Sequence, residues 1–354
     1  MPPCRTVLTE AQRAAGGRLV DFHGWEMPVQ FRGILEEHQA VRTGCGVFDL
    51  GHMGRLHLRG AQALAFLEGE VTRDLSDMKP GQVRYGLVLE DDGGVVDDIL
   101  VSREGADAFH VVVNASNLET VRERWRSRKP VDGVDLRDLS DEQAMIAVQG
   151  PRAADLLSGL GLDGRDLGYY RFADRSGVRL SRTGYTGEDG FEILLPAQAA
   201  EALWKQVVAA GATPCGLGCR DTLRLEAGMP LYGHELDRAH DPLQAGLGFA
   251  VSRRKTFAGS QALERRRLSA KERLVGLRGD GNRVARHGYP VVSDGRTVGL
   301  VTSGTLSPTL GLPIAMAWVD AALAKPGTAL GVDIRGKSVE PFTVVELPFY
   351  RRQG

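Results

Sequence analysis

The chain is 354 residues long, 42% hydrophobic and 25% charged, with 44 basic against 45 acidic side chains and a formal charge of −1. Those fractions exclude disordered, collagen-like and coiled-coil chains, the near-zero charge argues against general nucleic-acid binding, and no apolar run approaches the roughly 20 residues that cross a bilayer. Four cysteines make no disulfide framework and the first residues, MPPCRTVLTEAQRAAGG, lack the apolar stretch of a secretory signal, so a soluble cytoplasmic protein of two or three domains is expected.

Residues 50–240 mix strands and helices in an order that occurs twice. Leu56–Gly60 reads as a short apolar strand closed by a glycine, and Ala61–Leu67 as the helix after it. Arg84–Ser102 is a β-hairpin region. Phe109–Val113 is a strand leading to a helix with a capping box, Ser116 and Glu119, and with Leu118, Val121 and Trp125 on one face. The second copy runs Ile146–Gly150, Pro151–Leu157, a hairpin region at Tyr170–Arg182 and the strand Phe191–Leu195. Its last helix starts at about Pro196, with Leu203 and Val207 on one face. Each unit therefore runs strand, helix, two strands, strand, helix, which suits a small sheet with helices on one side. Two such units imply a pseudo-twofold relation with a cleft between them.

A helix near Gly259–Arg267 leads into an all-β end. Leu274–Leu277, Tyr289–Val292, Thr297–Thr302, Ile314–Val319, Ala329–Ile334 and Pro341–Glu346 are short runs separated by turn residues, with hairpin tips at Ser293–Arg296 and Arg335–Lys337. Six strands in so short a stretch suggest a small antiparallel barrel or sandwich. The expected domains are residues 1–245, in two lobes of about 51–140 and 1–50 plus 141–245, and residues 270–354.

Asp97 and Asp98 sit inside a β-branched run, Val95 to Val101, where Asp is disfavoured. Alternation puts one with Val95, Ile99 and Val101 and the other with Val96 and Leu100, so at least one carboxylate is expected to be partly buried, at a cost that raises its pKa. The competing expectation, slightly favoured on the residues alone, is an edge strand whose Asp side chains reach solvent. Gly184–Glu192 is a glycine-rich loop entering a strand. A dinucleotide fingerprint would open a helix instead, so that reading fails on context. Glu192 is a second candidate for a buried carboxylate, set evenly against a mere turn with surface acids. Arg220 and Arg224 share a helical face and call for anionic partners, which Asp221 and Glu226 could supply. Cys215 and Cys219 are read as packed thiols, with no metal site expected. His52 is read as structural, and the runs Arg253–Lys255 and Arg265–Arg267 as solvated faces.

Together these segments resemble the aminomethyltransferase (T-protein) family of the glycine cleavage system. The stretches that carry the resemblance are Asp21–Pro28, Ala40–Arg42, Phe48–Gly54, Gly93–Asp98, Val148–Pro151, Gly184–Glu192, Gly216–Met229 with Leu231–Gly233, and Thr302–Leu310, in family order over nearly the whole chain. The resemblance implies an α+β fold of two related sheet-plus-helix lobes around a central channel, with a C-terminal antiparallel β-barrel. It implies tetrahydrofolate as cosubstrate in that channel, no metal, and a partner, the lipoylated H-protein. It also implies transfer of the methylene carbon of an aminomethyl group from the lipoyl arm to tetrahydrofolate, with release of ammonia and formation of 5,10-methylenetetrahydrofolate. Carried over by residue, Asp98 takes the catalytic position, Glu192 holds the pterin edge, and Tyr85, Tyr185, Met53, Asn114 and Arg220 line the folate site. The alternatives are a folate-dependent demethylase of a small sulfur or amine compound, and a non-enzymatic folate-binding factor.

Overall fold

The computed structural model describes residues 2–130 and 132–352. Two sheets organise the first 250 residues. In one, the spatial order is Gln82–Leu89, Val95–Arg103, Ala108–Val113, Gly54–Arg59, Asp135–Asp138; in the other it is Phe172–Arg175, Val178–Ser181, Gly190–Pro196, Gln143–Gln149, Gly46–Asp49, Thr213–Pro214. All neighbours are antiparallel except the last pair. The first four strands of each sheet follow the same order, which is the repeat read in the sequence.

Each sheet has one face under helices. On the first, Phe66, Leu67, Val121 and Trp125 pack on Leu56, Leu58, Phe109 and Val111; on the second, Leu157, Leu203, Trp204 and Val207 pack on Ile146, Val148, Phe191 and Ile193. The other faces meet each other. Leu100 and Val112 of the first sheet meet Phe48, Met145 and Leu194 of the second, with Leu223 of the helix Leu217–Glu226 and the loop residue Met53 closing the seam. Strands with cover on both sides lose the polar half of their alternation, which is why all six residues of Ala108–Val113 are buried. Burying each large apolar side chain here contributes about 1.5–3 kcal/mol.

Gly60 and Gly150 end equivalent strands at φ +127° and +129°. A Cβ on Gly150 would sit 2.5 Å from the Gly44 carbonyl oxygen. Gly150→Ala combines that clash with a backbone region closed to alanine. We expect it to lower the urea midpoint by the equivalent of about 2–4 kcal/mol, whereas the Gly159→Ala control, with open space around it, should change little.

The capping box is not made. The helix Leu118–Arg128 starts later, after a 3-10 turn at Ala115–Asn117, with Asn117 at its N-cap and no side-chain cap bond. Glu119 pairs with Arg122 instead of reaching back. The Asn117 amide is withdrawn from the helix end to bond Asp97, a stronger acceptor.

Beyond the helix Ser260–Ser269, the strands Glu272–Gly279, Pro313–Asp320, Arg296–Leu306, Pro290–Ser293, Ala329–Ile334 and Ser338–Val345 close a six-stranded antiparallel barrel, the barrel rather than the sandwich. It docks on the lobes through Trp318, Ile314 and Met316, which pack among Leu87, Leu225 and Leu236. Among the described residues, no helix is long and apolar enough to cross a membrane.

Candidate active site

Val95–Arg103 lies between Gln82–Leu89 and Ala108–Val113, so the Asp pair is on an interior strand and the edge-strand expectation is overturned. The register steps from Val88–Asp97 to Leu89–Val95, leaving Val96 as an extra, bulged residue. The bulge corrects the simple alternation: Val96, not Val95, joins Ile99 and Val101 in the core under the helices. Asp97 is fully buried and Asp98 half-buried toward the seam between the sheets.

Two asparagines at the start of the next helix hold the pair. Asn114 Nδ2 donates to Asp97 Oδ1 and to Asp98 Oδ1, each at 2.8 Å, and the Asn114 amide donates to Asp97 Oδ2 at 3.0 Å. Asn117 Nδ2 adds a bond to Asp97 Oδ1 at 2.7 Å. The Tyr85 hydroxyl donates to Asp98 Oδ2 at 3.2 Å. Burial pushes the Asp98 carboxyl up to about 6, against the bonds from Tyr85 and Asn114, which favour its charge. Burial and the neighbouring Asp98 charge push Asp97 up as well. One carboxylate thus has three fixed donors and the other a pKa near neutrality, the condition for a group that takes and returns a proton at physiological pH.

Glu192 comes from the other sheet. Its strand, Gly190–Pro196, lies between Val178–Ser181 and Gln143–Gln149, and the side chain is buried, so the surface-turn expectation fails. Thr183 Oγ1 donates to Glu192 Oε2 at 2.6 Å. Burial raises its pKa, opposed by Thr183 and by the charge of Arg220. Arg220, on the helix Leu217–Glu226, stacks its guanidinium 4.7 Å over the Tyr185 ring. Its Nη1 is buried with no hydrogen-bond partner among the described residues. Arg224 points elsewhere, to Glu235 at 2.7 Å and to Asp221. Of the two acids expected to serve these arginines, Asp221 does so. Glu226 instead pairs with Arg42 and His38, which the chain brings up from more than 180 residues away.

The two acid-bearing strands converge. The Tyr170 hydroxyl, itself pushed up by burial, lies within electrostatic reach of both Glu192 and Asp98, and Tyr85 within that of Tyr170 and Tyr185. Phe249 stacks on Tyr85 with ring centroids 6.0 Å apart and is exposed, as is Tyr169 beside Tyr170. Met53 borders the seam, where Arg55 pins its loop by donating to the carbonyls of Gly51 and Met53. All seven residues singled out in the sequence therefore surround the meeting of the two sheets. Sequence reasoning missed Thr183, Tyr170, Phe249, Asn117 and Arg55. Of these, Asn117 alone had a local signal, standing beside Asn114 three residues on.

His52 is buried, with its imidazole pushed down to about 3 by desolvation and by the charges of Arg220 and Arg55. Glu37, Cys215 and Cys219 place possible ligand atoms within 4.8 Å of one another. The Glu37 carboxylate is already filled by the amides of Phe31, Gly33 and Gly216, and burial holds the Cys215 thiol protonated. This cluster packs within the fold. Lys255 is no solvated charge, since it donates to the carbonyls of Glu68 and Val71.

A family model described as the GCVT N-terminal domain matches residues 8–255, and one described as the glycine cleavage T-protein C-terminal barrel domain matches residues 272–351. An aminomethyltransferase of Cutibacterium acnes is 47% identical over 366 residues, covering 98% of each chain. One of Rubrobacter xylanophilus is 48% identical over 359 residues, covering 99% of this chain and 95% of that protein. Among solved structures, the glycine cleavage system aminomethyltransferase T from Bartonella henselae superposes with a TM-score of 0.94 at 32% identity, covering 98% of both chains.

Proposed function

The chain belongs to the glycine cleavage T-protein family, the aminomethyltransferases, and from that membership we propose how its own residues carry the transfer. Tetrahydrofolate lies at the meeting of the two sheets, between Asp98 and Glu192. The observation that carries this reading is a pair of unfilled polar atoms of opposite charge at the meeting of the two sheets. Arg220 Nη1 has no partner, and Glu192 Oε1 makes no hydrogen bond among the described residues. A reduced pterin presents an N–H beside an amino group, which a carboxylate accepts side by side, and an electronegative ring or tail oxygen suits the free guanidinium N–H. Tyr85, Tyr185, Met53 and Phe249 supply apolar walls.

The aminomethyl group arrives on the lipoyl arm of the H-protein. As its carbon loses sulfur or ammonia it gains positive charge, and Asp98, fixed by Asn114 and Tyr85, faces that charge and moves the proton. Asp97 does not touch the reacting atoms; it anchors the Asn114 amide that orients Asp98. The test is single-turnover release of ammonia from aminomethyl-loaded H-protein, with and without tetrahydrofolate. Cofactor-independent release at the full rate would refute the reading.

Glu192→Gln is expected to weaken tetrahydrofolate binding by at least about tenfold, the scale of one charged hydrogen bond. The variant's unfolding midpoint at pH 7 should not fall, because the native fold already disfavours the Glu192 charge. Equilibrium titration by protein fluorescence checks it, and an unchanged dissociation constant removes Glu192 from the pterin edge.

A further inference from the structure

The repeat can be read position by position. The ladder of Gly54–Arg59 with Ala108–Val113 pairs His57 with His110, and that of Gln143–Gln149 with Gly190–Pro196 pairs Ala147 with Glu192. On both sheets the next ladder sets a serine against the same position: Ser102 against His110, Ser181 against Glu192. Equivalent strands are followed by equivalent 3-10 turns, Ala115–Asn117 and Ala197–Ala199, each running directly into a helix. In this register His110 stands where the other lobe has Glu192. Glu104 stands for Thr183, Gly177 for Asp98, Asp174 for Tyr85, Pro196 for Asn114 and Gln143 for Met53.

All six of these counterparts line one cavity of about 820 Å³, a space of ligand size at the other end of the seam between the sheets. The pseudo-twofold that builds the site at Asp98 and Glu192 builds a second one from the same positions with different side chains. We propose that this cavity is a second small-molecule site, and that it takes an organic ammonium ligand rather than a second folate.

The substitutions exclude the pterin and select the cation. Asp98 has no counterpart, since Gly177 carries no side chain, and the aromatic wall of Tyr85 is replaced by the carboxylate of Asp174. The paired acceptor of Glu192 is replaced by one imidazole. His110 is 1% exposed; its Nε2 donates to Gln143 Oε1 at 3.0 Å, which leaves Nδ1 as an acceptor, and that atom has no partner among the described residues. Burial keeps the ring neutral, pushing it down to about 4. That unpartnered acceptor, on a residue that lines the cavity, favours a ligand that carries a donor. The lining carries four carboxylates, Glu104, Asp141, Glu142 and Asp174, against the single guanidinium of Arg179. Glu104 is committed to His57 at 2.9 Å and to Arg179 at 2.5 Å, Asp174 pairs with Arg179 at 3.1 Å and Glu142 with Arg137 at 3.0 Å, but these acids and the exposed Asp141, which makes no ion pair among the described residues, outnumber the arginines and leave the cavity electronegative. A primary ammonium meets both demands: positive charge for the rim and an N–H for His110 Nδ1.

The test uses the full-length protein and ethylammonium chloride, with sodium chloride at equal ionic strength as control. The binding is followed by calorimetry and by the ring nitrogen resonances of His110. Saturable binding is expected, with a shift of the His110 Nδ1 signal, retained when tetrahydrofolate is saturating at one equivalent per chain. Replacing the rim acids, Asp141→Asn with Asp174→Asn, should weaken the amine at least tenfold and leave aminomethyl transfer unchanged. The proposal is overturned by the absence of a saturable His110 shift, by indifference to the rim variants, by loss of the amine on folate saturation, or by two equivalents of folate per chain. Only the last two outcomes concern the folate site, so failure here and failure of the folate assignment are told apart.

Discussion

Asp98→Asn is expected to reduce single-turnover ammonia release by at least about 100-fold, the usual contribution of a positioned acid–base group, and to change tetrahydrofolate affinity by less than about threefold. The amide retains the size of the side chain, Asn114 can still donate to its oxygen, and its nitrogen can donate to the Tyr85 hydroxyl in place of the bond it received, so the loss reads the charge and the proton rather than the packing. In the wild-type protein the rate should rise with pH through about 6, where Asp98 ionises, and that limb should vanish in the variant. Stability should move the other way. A carboxyl whose folded pKa lies above its unfolded value binds its proton more tightly when folded. The Asp98 contribution to wild-type stability therefore falls as pH rises from about 4 to about 6 and stays lower above that. Asp98→Asn removes this penalty and also relieves Asp97 of a like charge. At pH 7.5 the variant should gain up to about 2–3 kcal/mol in urea unfolding. A variant at once slower and more stable is the signature of a strained catalytic acid, and full activity in it would remove Asp98 from its role.

Glu226→Gln carries the largest expected loss of stability. Glu226 is fully buried where the two lobes meet the barrel. Arg42 donates to it at 2.7 Å and His38 lies 3.2 Å away, while Ser307 Oγ at 2.5 Å, the Thr309 amide and Thr309 Oγ1 fill its remaining positions. Arg42 goes on to Glu188 at 3.0 Å and lies under the Tyr350 ring, so the C-terminal segment is tied to the same knot. Burial works against the Glu226 charge, but the bonds and charge from His38, Ser307 and Arg42 outweigh it and hold the carboxyl near 2. Replacing it leaves Arg42 with less than its full counter-charge in a closed interior, a loss of about 3–5 kcal/mol. The pH dependence has the opposite sign to that of Asp98. The folded pKa is depressed, so the contribution of about 3 kcal/mol is complete above about pH 4.5 and disappears as pH falls toward 2. Urea midpoints measured between pH 3 and pH 7 should therefore converge for wild type and variant at the acid end. Parallel curves would show that the charge is not what matters.

Local pattern was enough for the barrel. Strand alternation and turn residues such as Ser293–Arg296 are read within a few neighbours, and all six predicted strands formed within a few residues of their expected bounds. The order of elements in each lobe was legible for the same reason. The likeness of Ile146–Gly150 to Leu56–Gly60 was visible too, because both are closed by a glycine that must adopt positive φ.

What the chain alone determined is the inventory: an Asp pair in a β-branched run, a glutamate opening an apolar strand, two arginines on a helix face, and six strands that must close on themselves. Partnership belonged to the tertiary structure. Whether Val95–Arg103 was an edge or an interior strand depended on which strands came to lie beside it, and with that the burial and pKa of Asp98. Asn117 abandoned its helix cap because folding placed a buried carboxylate within reach. Glu226 went to Arg42 because the first helices of the chain fold back onto the helix Leu217–Glu226, which no spacing near residue 226 announces. Hydrogen bonds and ion pairs are short-ranged in space and indifferent to sequence distance. The acids could be named from their neighbours in the chain, but their chemistry was decided by their neighbours in the fold.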